Sequence, residues 1–357
     1  MLRFILARLP IRVKVVLRRV YATARLAVLW LFSRNGFLAS LYFFLFSRQF
    51  YGEHQAVLQG RLNYYRGLNA GHLSSPLLRR NTHRLEKGLI MKPRRPVFAE
   101  GFIAETVQAF NQARATPDFL AEELHWAADV LSEYFSVVSD TAVIKAARAA
   151  FGDGAEFEAA FNEGRQRDRK PYPRSASPES AVSFDDLHNL YVRRRSVRWY
   201  QQRDVPVELI RKAIDAAAQA PSACNRQAFR FIVSTETEQV RRIAKCAGGT
   251  VGFNDQLPAI IVAVGDLSAY PFERDRHLIY IDASLAAMQL MLAAETLGLA
   301  TCPINWPDIK SAEQRIRAIV DIKPHERVVM LTAIGYGDPD SGIPFSQKKQ
   351  SDMLVTE

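Results

Sequence analysis

The sequence predicts an α+β protein: a sheet-and-helix domain preceded by a mainly helical region. Three observations carry this. From about Phe184 onward, short runs rich in β-branched and apolar residues alternate with helical patterns. Between residues 51 and 163, apolar residues recur at three- and four-residue spacing instead. Ahead of both lies an arm that is basic and apolar at once. The 357 residues suffice for one large or two medium domains. They divide into an arm (1–50), a helical region (51–163), a linker (164–182) and a sheet-and-helix domain (183–357).

Charge separates the arm from the rest. The whole chain carries +10, but residues 1–80 hold thirteen Lys/Arg against the single acid Glu53. The other 277 residues therefore sit near −2, and the basicity belongs to the N-terminus. Three cysteines, Cys224, Cys246 and Cys302, are too few and too scattered for a disulfide framework or a zinc site. Small buried thiols in a reducing compartment are the expectation.

Residues 1–25 interleave arginines with Leu2, Phe4, Ile5, Leu9, Val13, Val15, Val16 and Leu17. Leu26 to Phe46 is strongly apolar but broken by Arg34 and Asn35. Each half is shorter than the ~20 residues that cross a bilayer core. One continuous span would hold an arginine near its centre, at about 2.5–3.5 kcal/mol. The expectation is an arm lying in the interface, anchored by Trp30, Tyr42, Phe43 and Phe44 and by arginines on anionic lipid. A single marginal span and a helical hairpin packed on the protein are the alternatives. No clean apolar run ends in a small-x-small cleavage site, so a secretory signal does not fit.

Helices are predicted over Thr106–Arg114 and Phe119–Phe135, the second with Leu120, Leu124, Ala127, Leu131 and Phe135 on one face. His83 and Glu86 share a helix face at i, i+3; with no third ligand nearby, a hydrogen-bonded pair is expected rather than a metal site. Residues 164–182 are charged, Pro- and Ser-rich and aperiodic, which reads as a linker or strap. Ser183 followed by Asp185 and Asp186 reads as a helix N-cap. Then come a helix from Pro206 to Gln219, a strand at Phe229–Ser234, a helix at Glu236–Cys246 and a strand at Ala259–Val264. A long helix over Arg276–Leu297 stops at Gly298. A strand at Ala300–Ile304, a helix at Asp308–Val320 and a strand at Arg327–Gly335 complete the pattern.

The chemistry concentrates in two runs. Arg193-Arg194-Arg195-Ser196-Val197-Arg198 places four arginines and a serine within six residues. Guanidinium forks match phosphate oxygens bidentately, and hydroxyls fill the remaining lone pairs. The same run reads equally as a solvated basic face. It continues into Trp199-Tyr200, however, and one helix later comes Ala220-Pro221-Ser222-Ala223-Cys224-Asn225-Arg226-Gln227. A phosphate cradle followed by an amide that reads a ring edge suits a phosphorylated heteroaromatic cofactor.

Together these motifs resemble the opening signature of the FMN-dependent nitroreductase superfamily, from about Phe184 to the C-terminus. The resemblance implies a central mixed or antiparallel sheet flanked by helices, and a homodimer with two sites built from both subunits. It implies FMN held by Arg194, Arg195, Ser196 and Arg198 at the phosphate, with Lys348 or Lys349 as a second basic group. Pro221, Ser222, Asn225 and Gln227 would approach the ring and ribityl chain. Pro303, Ile304 and Asn305 would lie against the isoalloxazine, Asn305 seating nicotinamide or substrate. The implied activity is NAD(P)H-driven reduction of an electron-poor small molecule. Two departures stand out: Ala228-Phe229 replaces the family's usual Pro-Trp, and the N-terminal 180 or so residues have no counterpart in the small enzymes.

Other functions remain open. One is a specialised flavin enzyme of dehalogenase or dehydrogenase type. Another is a non-catalytic FMN-binding membrane scaffold or sensor. A nucleic-acid binder is not expected, because the aromatic residues interleaved in the arm suit lipid better. The expectation is a cytoplasmic, membrane-associated enzyme without a metal.

Overall fold

A computed structural model describes residues 10–66, 73–152 and 169–356. The chain forms two compact units, Met1–His54 and Gln55–Glu357. In the first, helix α1 (Ile11–Phe32) and helix α2 (Gly36–Phe46) are separated by the turn at Ser33-Arg34-Asn35. The turn has a local cause: the Asn35 side chain accepts the Leu38 N–H at 2.9 Å and caps α2. The apolar stretch Leu26–Phe46 is therefore divided between two helices. Phe32 meets Tyr42 and Phe46, with ring centroids 5.6 and 5.9 Å apart. No residue of either helix is buried.

The second unit starts with the rest of helix α3 (Tyr51–Tyr65). Gly60 lets it approach the chain at Leu267 closely, since a Cβ there would lie 2.7 Å from the Leu267 backbone. A four-helix cluster follows: α4 (Pro76–Leu89), α5 (Ile103–Arg114), α6 (Ala121–Val137) and α7 (Ala142–Phe151). Ser75 with Pro76 starts α4, Thr141 caps α7, and Gly152 at φ 75° ends it. Their apolar stripes close on a core of Leu78, Leu85, Ile103, Phe110, Leu131 and Tyr134. The predicted helices at 106–114 and 119–135 are α5, which starts three residues earlier and ends at Arg114 as expected, and α6, shifted two residues along. His83 and Glu86 form the expected side-chain pair at 3.3 Å, and the described residues contain no metal-ligand cluster.

Part of the predicted linker, 164–168, lies outside the described residues. The rest is a strap fastened to α6: the Arg169 N–H donates to Asp129 at 2.6 Å, and Arg169 pairs with Glu122. Helix α8 (Phe184–Arg193) then begins at Ser183, whose hydroxyl accepts the Asp186 N–H at 3.1 Å, as predicted.

Helix α9 (Val207–Ala217) leads to strand β1 (Phe229–Ser234), helix α10 (Thr237–Ala244) and strand β2 (Ala259–Asp266). Helix α11 (Leu278–Thr296) ends at Gly298, φ 76°. Strand β3 (Ala300–Asn305), helix α12 (Lys310–Arg317) and strand β4 (Glu326–Gly335) complete the unit. The sheet has order β1-β2-β4-β3, every pair antiparallel. The run in β2 is buried throughout because both faces are covered. Ile260, Val262 and Val264 pack with Val240 and Ile316 of α10 and α12, while Ala259 and Ile261 meet Ile210 and Leu290 of α9 and α11. The α+β prediction is met.

Arg230 on β1 reaches across the sheet to Glu326 at the start of β4, through bonds of 2.7 and 2.8 Å. Burial pushes the Glu326 carboxyl up, but Arg230 and the Lys323 N–H outweigh it and hold the group below its ordinary 4.5. This stabilisation is complete above the unfolded pKa and is lost as pH falls through the lower folded one. Glu326→Gln is expected to cost about 1–2 kcal/mol at pH 7, modest because Arg230 is 43% exposed. Urea midpoints compared at pH 7 and pH 3.5 should show that difference shrinking in acid.

Candidate functional site

The structure assembles two of the three motif groups at one place. Residues 194–198 run beside the outer edge of β3: Ser196 forms a parallel bridge with Thr301, whose carbonyl accepts the Val197 N–H at 3.0 Å. Tyr200 then bridges Gly337, and the Trp199 carbonyl accepts the Asp338 N–H at 3.1 Å. Burial pushes the Cys302 thiol up, while Arg198 and Arg194 act on it in the opposite sense. Both guanidinium groups are thus close to the strand that ends in Pro303, Ile304 and Asn305. Ile304 points into the core, Pro303 is half-buried and Asn305 is exposed at the strand end. Trp306 is turned inward, its Nε1–H donating to the buried Glu313 at 2.7 Å.

The arginines are not equivalent. Arg193 is committed to Glu295 at 2.8 Å. Among the described residues, Arg195 and Arg198 donate only to backbone carbonyls of their own segment. The Nε of Arg194 is buried and finds no acceptor among the described residues. An orphaned guanidinium donor beside a half-buried serine fits an anionic oxygen, and a phosphate supplies several. Lys348 and Lys349 lie on the exposed C-terminal segment beyond Asp338, and their side chains are open to solvent.

The third group is elsewhere. Residues Pro221–Gln227 lead into β1, on the opposite edge of the sheet. Thr301 is level with Ile334 of β4, whereas Phe229 is level through Gly265 with Arg327. Three strand spacings across and seven residues along put the motifs about 25 Å apart. One chain does not bring them together.

The turn itself is strained and tightly held. Cys224, Asn225 and Gln227 have φ of 53°, 51° and 49°, left-handed values that Cys and Gln seldom adopt. Asp282 of α11 accepts the Ala223 N–H at 3.0 Å and the Tyr270 hydroxyl at 3.3 Å. Burial pushes its carboxyl up, against the pull of those two donors. The Ser222 hydroxyl accepts the Gln227 N–H at 3.1 Å.

From the other side comes Arg79 of α4. It donates to the Asn225 carbonyl at 2.9 Å, to Gln227 Oε1 at 2.7 Å and to Glu123 at 3.0 Å. Gln227 Nε2 donates to the Ala218 carbonyl at 2.7 Å, so its amide is engaged at both ends, with one N–H and one lone pair left over. Glu123 is 1% exposed and also takes the Ser74 hydroxyl and the Ser75 N–H. Sequence reasoning does not single out Arg79 or Glu123. The local signal is the basic pair Arg79-Arg80 after a helix cap, which reads as surface. Beside Asn225 a cavity of about 470 Å³ is walled by Trp126, Tyr172, Arg79, Glu86 and Arg169.

The family model described as "Nitroreductase family" matches residues 191–263 and 248–336. A Methanothermobacter thermautotrophicus protein named "Putative NADH dehydrogenase/NAD(P)H nitroreductase" is 31% identical over 167 residues, 46% of this chain and 84% of that one. Mouse "Iodotyrosine deiodinase 1" is 22% identical, over 52% of this chain and 74% of its own length. Among solved structures, an FMN-dependent nitroreductase from Clostridium difficile is 28% identical with a TM-score of 0.38, covering 46% of this chain and 92% of its own.

Arg79 seats the helical cluster on the turn. Replacing it with leucine leaves Glu123 buried with an uncompensated charge and is expected to cost about 3 kcal/mol. An Arg79→Leu/Glu123→Leu double variant should recover part of that loss, read as the urea midpoint of each protein.

Proposed function

Because the chain belongs to the nitroreductase family, we propose that it is an FMN-dependent oxidoreductase in which NAD(P)H supplies electrons for reduction of an electron-poor small molecule. The orphaned Arg194 Nε beside Ser196 and Arg198 is the observation that carries the reading. In it, Arg194, Arg195, Ser196 and Arg198 hold the phosphate, with Lys348 or Lys349 supplying a further charge. When bound, the flavin supplies hydride chemistry; the protein contributes binding, position and exclusion of water. Pro303, Ile304 and Asn305 present the outer edge of β3 to the ring, and Asn305 offers an exposed amide to the incoming nicotinamide or substrate.

The separation of the two motifs supports a homodimer. A site that needs both the arginine run and the turn at Pro221, Ser222, Asn225 and Gln227 must draw one of them from a second copy. Helix α11 offers a surface for this. Its inner face is core, yet Ile281, Leu285 and Met288 at i, i+4 and i+7 are 52%, 44% and 37% exposed. A helix apolar on both sides is expected to be packed on both sides. Among the described residues, this helix with its lead-in (Glu273–Thr296) is long and apolar enough to cross a membrane. Its buried inner face marks it as a core helix.

We propose further that residues 11–46 attach the enzyme to the cytoplasmic face of a membrane. Arg12, Lys14, Arg18, Arg19 and Arg25 supply cations on α1. Exposed Trp30, Phe37, Phe44 and Phe46 supply the apolar and aromatic anchors. A reductive dehalogenase is the second reading. The cavity beside Asn225, with two aromatic walls and charges of both signs, suits an aromatic zwitterion, and an iodotyrosine deiodinase is among the relatives.

Protein purified in mild detergent should show flavin absorbance that bleaches under NADH or NADPH without oxygen; a colourless protein that FMN does not reconstitute would sink the reading. Arg198→Ala should weaken FMN binding by about 10–100-fold. Leu285→Asp should shift the protein to monomer in sedimentation velocity and release the flavin with it. Removing residues 1–50 should abolish sedimentation with phosphatidylserine vesicles while leaving the flavin spectrum intact.

A further inference from the structure

Five cations that form no ion pair among the described residues face one cavity that lies apart from the arginine run. It measures about 320 Å³ and lies between helix α4, the turn at 223–226 and the loop at 271–278. Arg80, Arg84 and Lys87 reach it from successive turns of α4, Arg226 from the strained turn and Arg274 from the loop. Asp275 is the acid on its wall. Glu105 acts on Arg84, and Asp282 on Arg226, from behind.

Neutral groups position these cations. Arg80 bonds to Tyr64, and Arg84 donates to the Asn81 amide oxygen at 3.2 Å while lying over the Phe102 ring at 3.6 Å. Arg226 donates to the Ala223 carbonyl at 3.2 Å and lies over the Tyr270 ring at 4.9 Å. Arg274 lies over Phe272 at 4.7 Å. The ion pairs among the described residues include none of the five. Arg226 is 7% exposed, and its Nε is buried with no acceptor among the described residues. Burial pulls the Arg84 guanidinium below its ordinary value, and the like charges of Arg80 and Arg226 pull the same way.

Buried Arg226 and half-buried Arg80 and Arg84 gather here without an ion-paired acid, which is costly. The cost is offset when an anion enters the gap they leave. We propose that this cavity binds a phosphate-type dianion, a phosphomonoester or inorganic phosphate, through Arg84, Arg226 and Arg274 with Arg80 and Lys87 in support. Several planar forks converging on one point suit a tetrahedral group with three terminal oxygens better than a single carboxylate. Arg226, which lines the cavity, keeps a buried Nε–H without an acceptor among the described residues. The site exists because the helical cluster sits on the turn: three of its cations come from α4, and neither α4 nor the turn makes it alone. The inference uses none of the residues assigned to the FMN phosphate, although the turn at 223–226 that walls the cavity also carries Asn225 of the flavin reading.

The test is isothermal titration of the full-length protein in detergent with phenyl phosphate and with inorganic phosphate, before and after saturation with FMN. One saturable site per chain is expected, insensitive to FMN. Binding should weaken at least about tenfold in Arg84→Gln/Arg274→Gln, a half-buried and an exposed position, and stay unchanged in Arg211→Gln on the outside of α9. Three results would overturn the proposal: no saturable binding, binding untouched by the double variant, or binding that FMN displaces and Arg198→Ala removes. Succinate binding as tightly as phenyl phosphate, with the same dependence on Arg84, would overturn the tetrahedral assignment. A lipid source is separated by vesicles. Arg84-dependent retention on phosphatidic acid vesicles that soluble phenyl phosphate competes away identifies a headgroup phosphate, whereas soluble binding without that retention identifies a free phosphomonoester.

Discussion

The link between Arg79 and Glu123 is the contact on which the catalytic half and its helical addition depend. A carboxylate that is 1% exposed is held by a serine hydroxyl, a backbone N–H and a guanidinium. The same guanidinium grips the strained turn at Asn225 and Gln227. Left-handed backbone at three non-glycine residues costs roughly 1–3 kcal/mol each, and such strain persists only where the surroundings fix it. Here Arg79 fixes it from one side and Asp282 from the other. The helical cluster is therefore part of the turn's support, and it closes the cavities on either side of that turn.

The sheet explains why the arginine run and the turn at 221–227 sit so far apart. In the order β1-β2-β4-β3, the arginine run lies along β3, and the turn leads directly into β1. These are opposite edges, and the antiparallel pairing puts the two motifs at opposite ends of the sheet as well. Sequence proximity, about 25 residues between motifs, says nothing about this. The proposed homodimer would reconcile it, with the apolar outer face of α11 as the surface on which a second copy packs.

Charge is distributed by role. In the N-terminal unit, Arg12, Lys14, Arg18, Arg19 and Arg25 lie on an exposed helix with aromatic neighbours. Those of the second unit include two clusters with buried or half-buried members, one at the edge of β3 and one between α4 and the turn at 223–226. Composition records only the sum. The second cluster arises from α4, a helix outside the strand-and-turn pattern that marks the rest of the domain, and its guanidinium groups are held by amide, carbonyl and aromatic partners in place of acids.

The sequence by itself determined what local rules encode. The strand at Phe229–Ser234 was legible to the residue, the caps at Ser183 and Gly298 were in place, and the α+β alternation followed from period-2 and period-3.6 patterning. So did the pairing of His83 with Glu86, one helix turn apart. Only the tertiary structure decided that Arg79 meets Asn225, 146 residues away, that Gln227 is engaged at both ends of its amide, and that Arg226 faces three cations of α4. The physical reason is range. Caps and amphipathic faces are set by neighbours within a turn of chain, whereas a site is a convergence of elements distant in sequence, whose side chains carry no mark of their partners until packing brings them together.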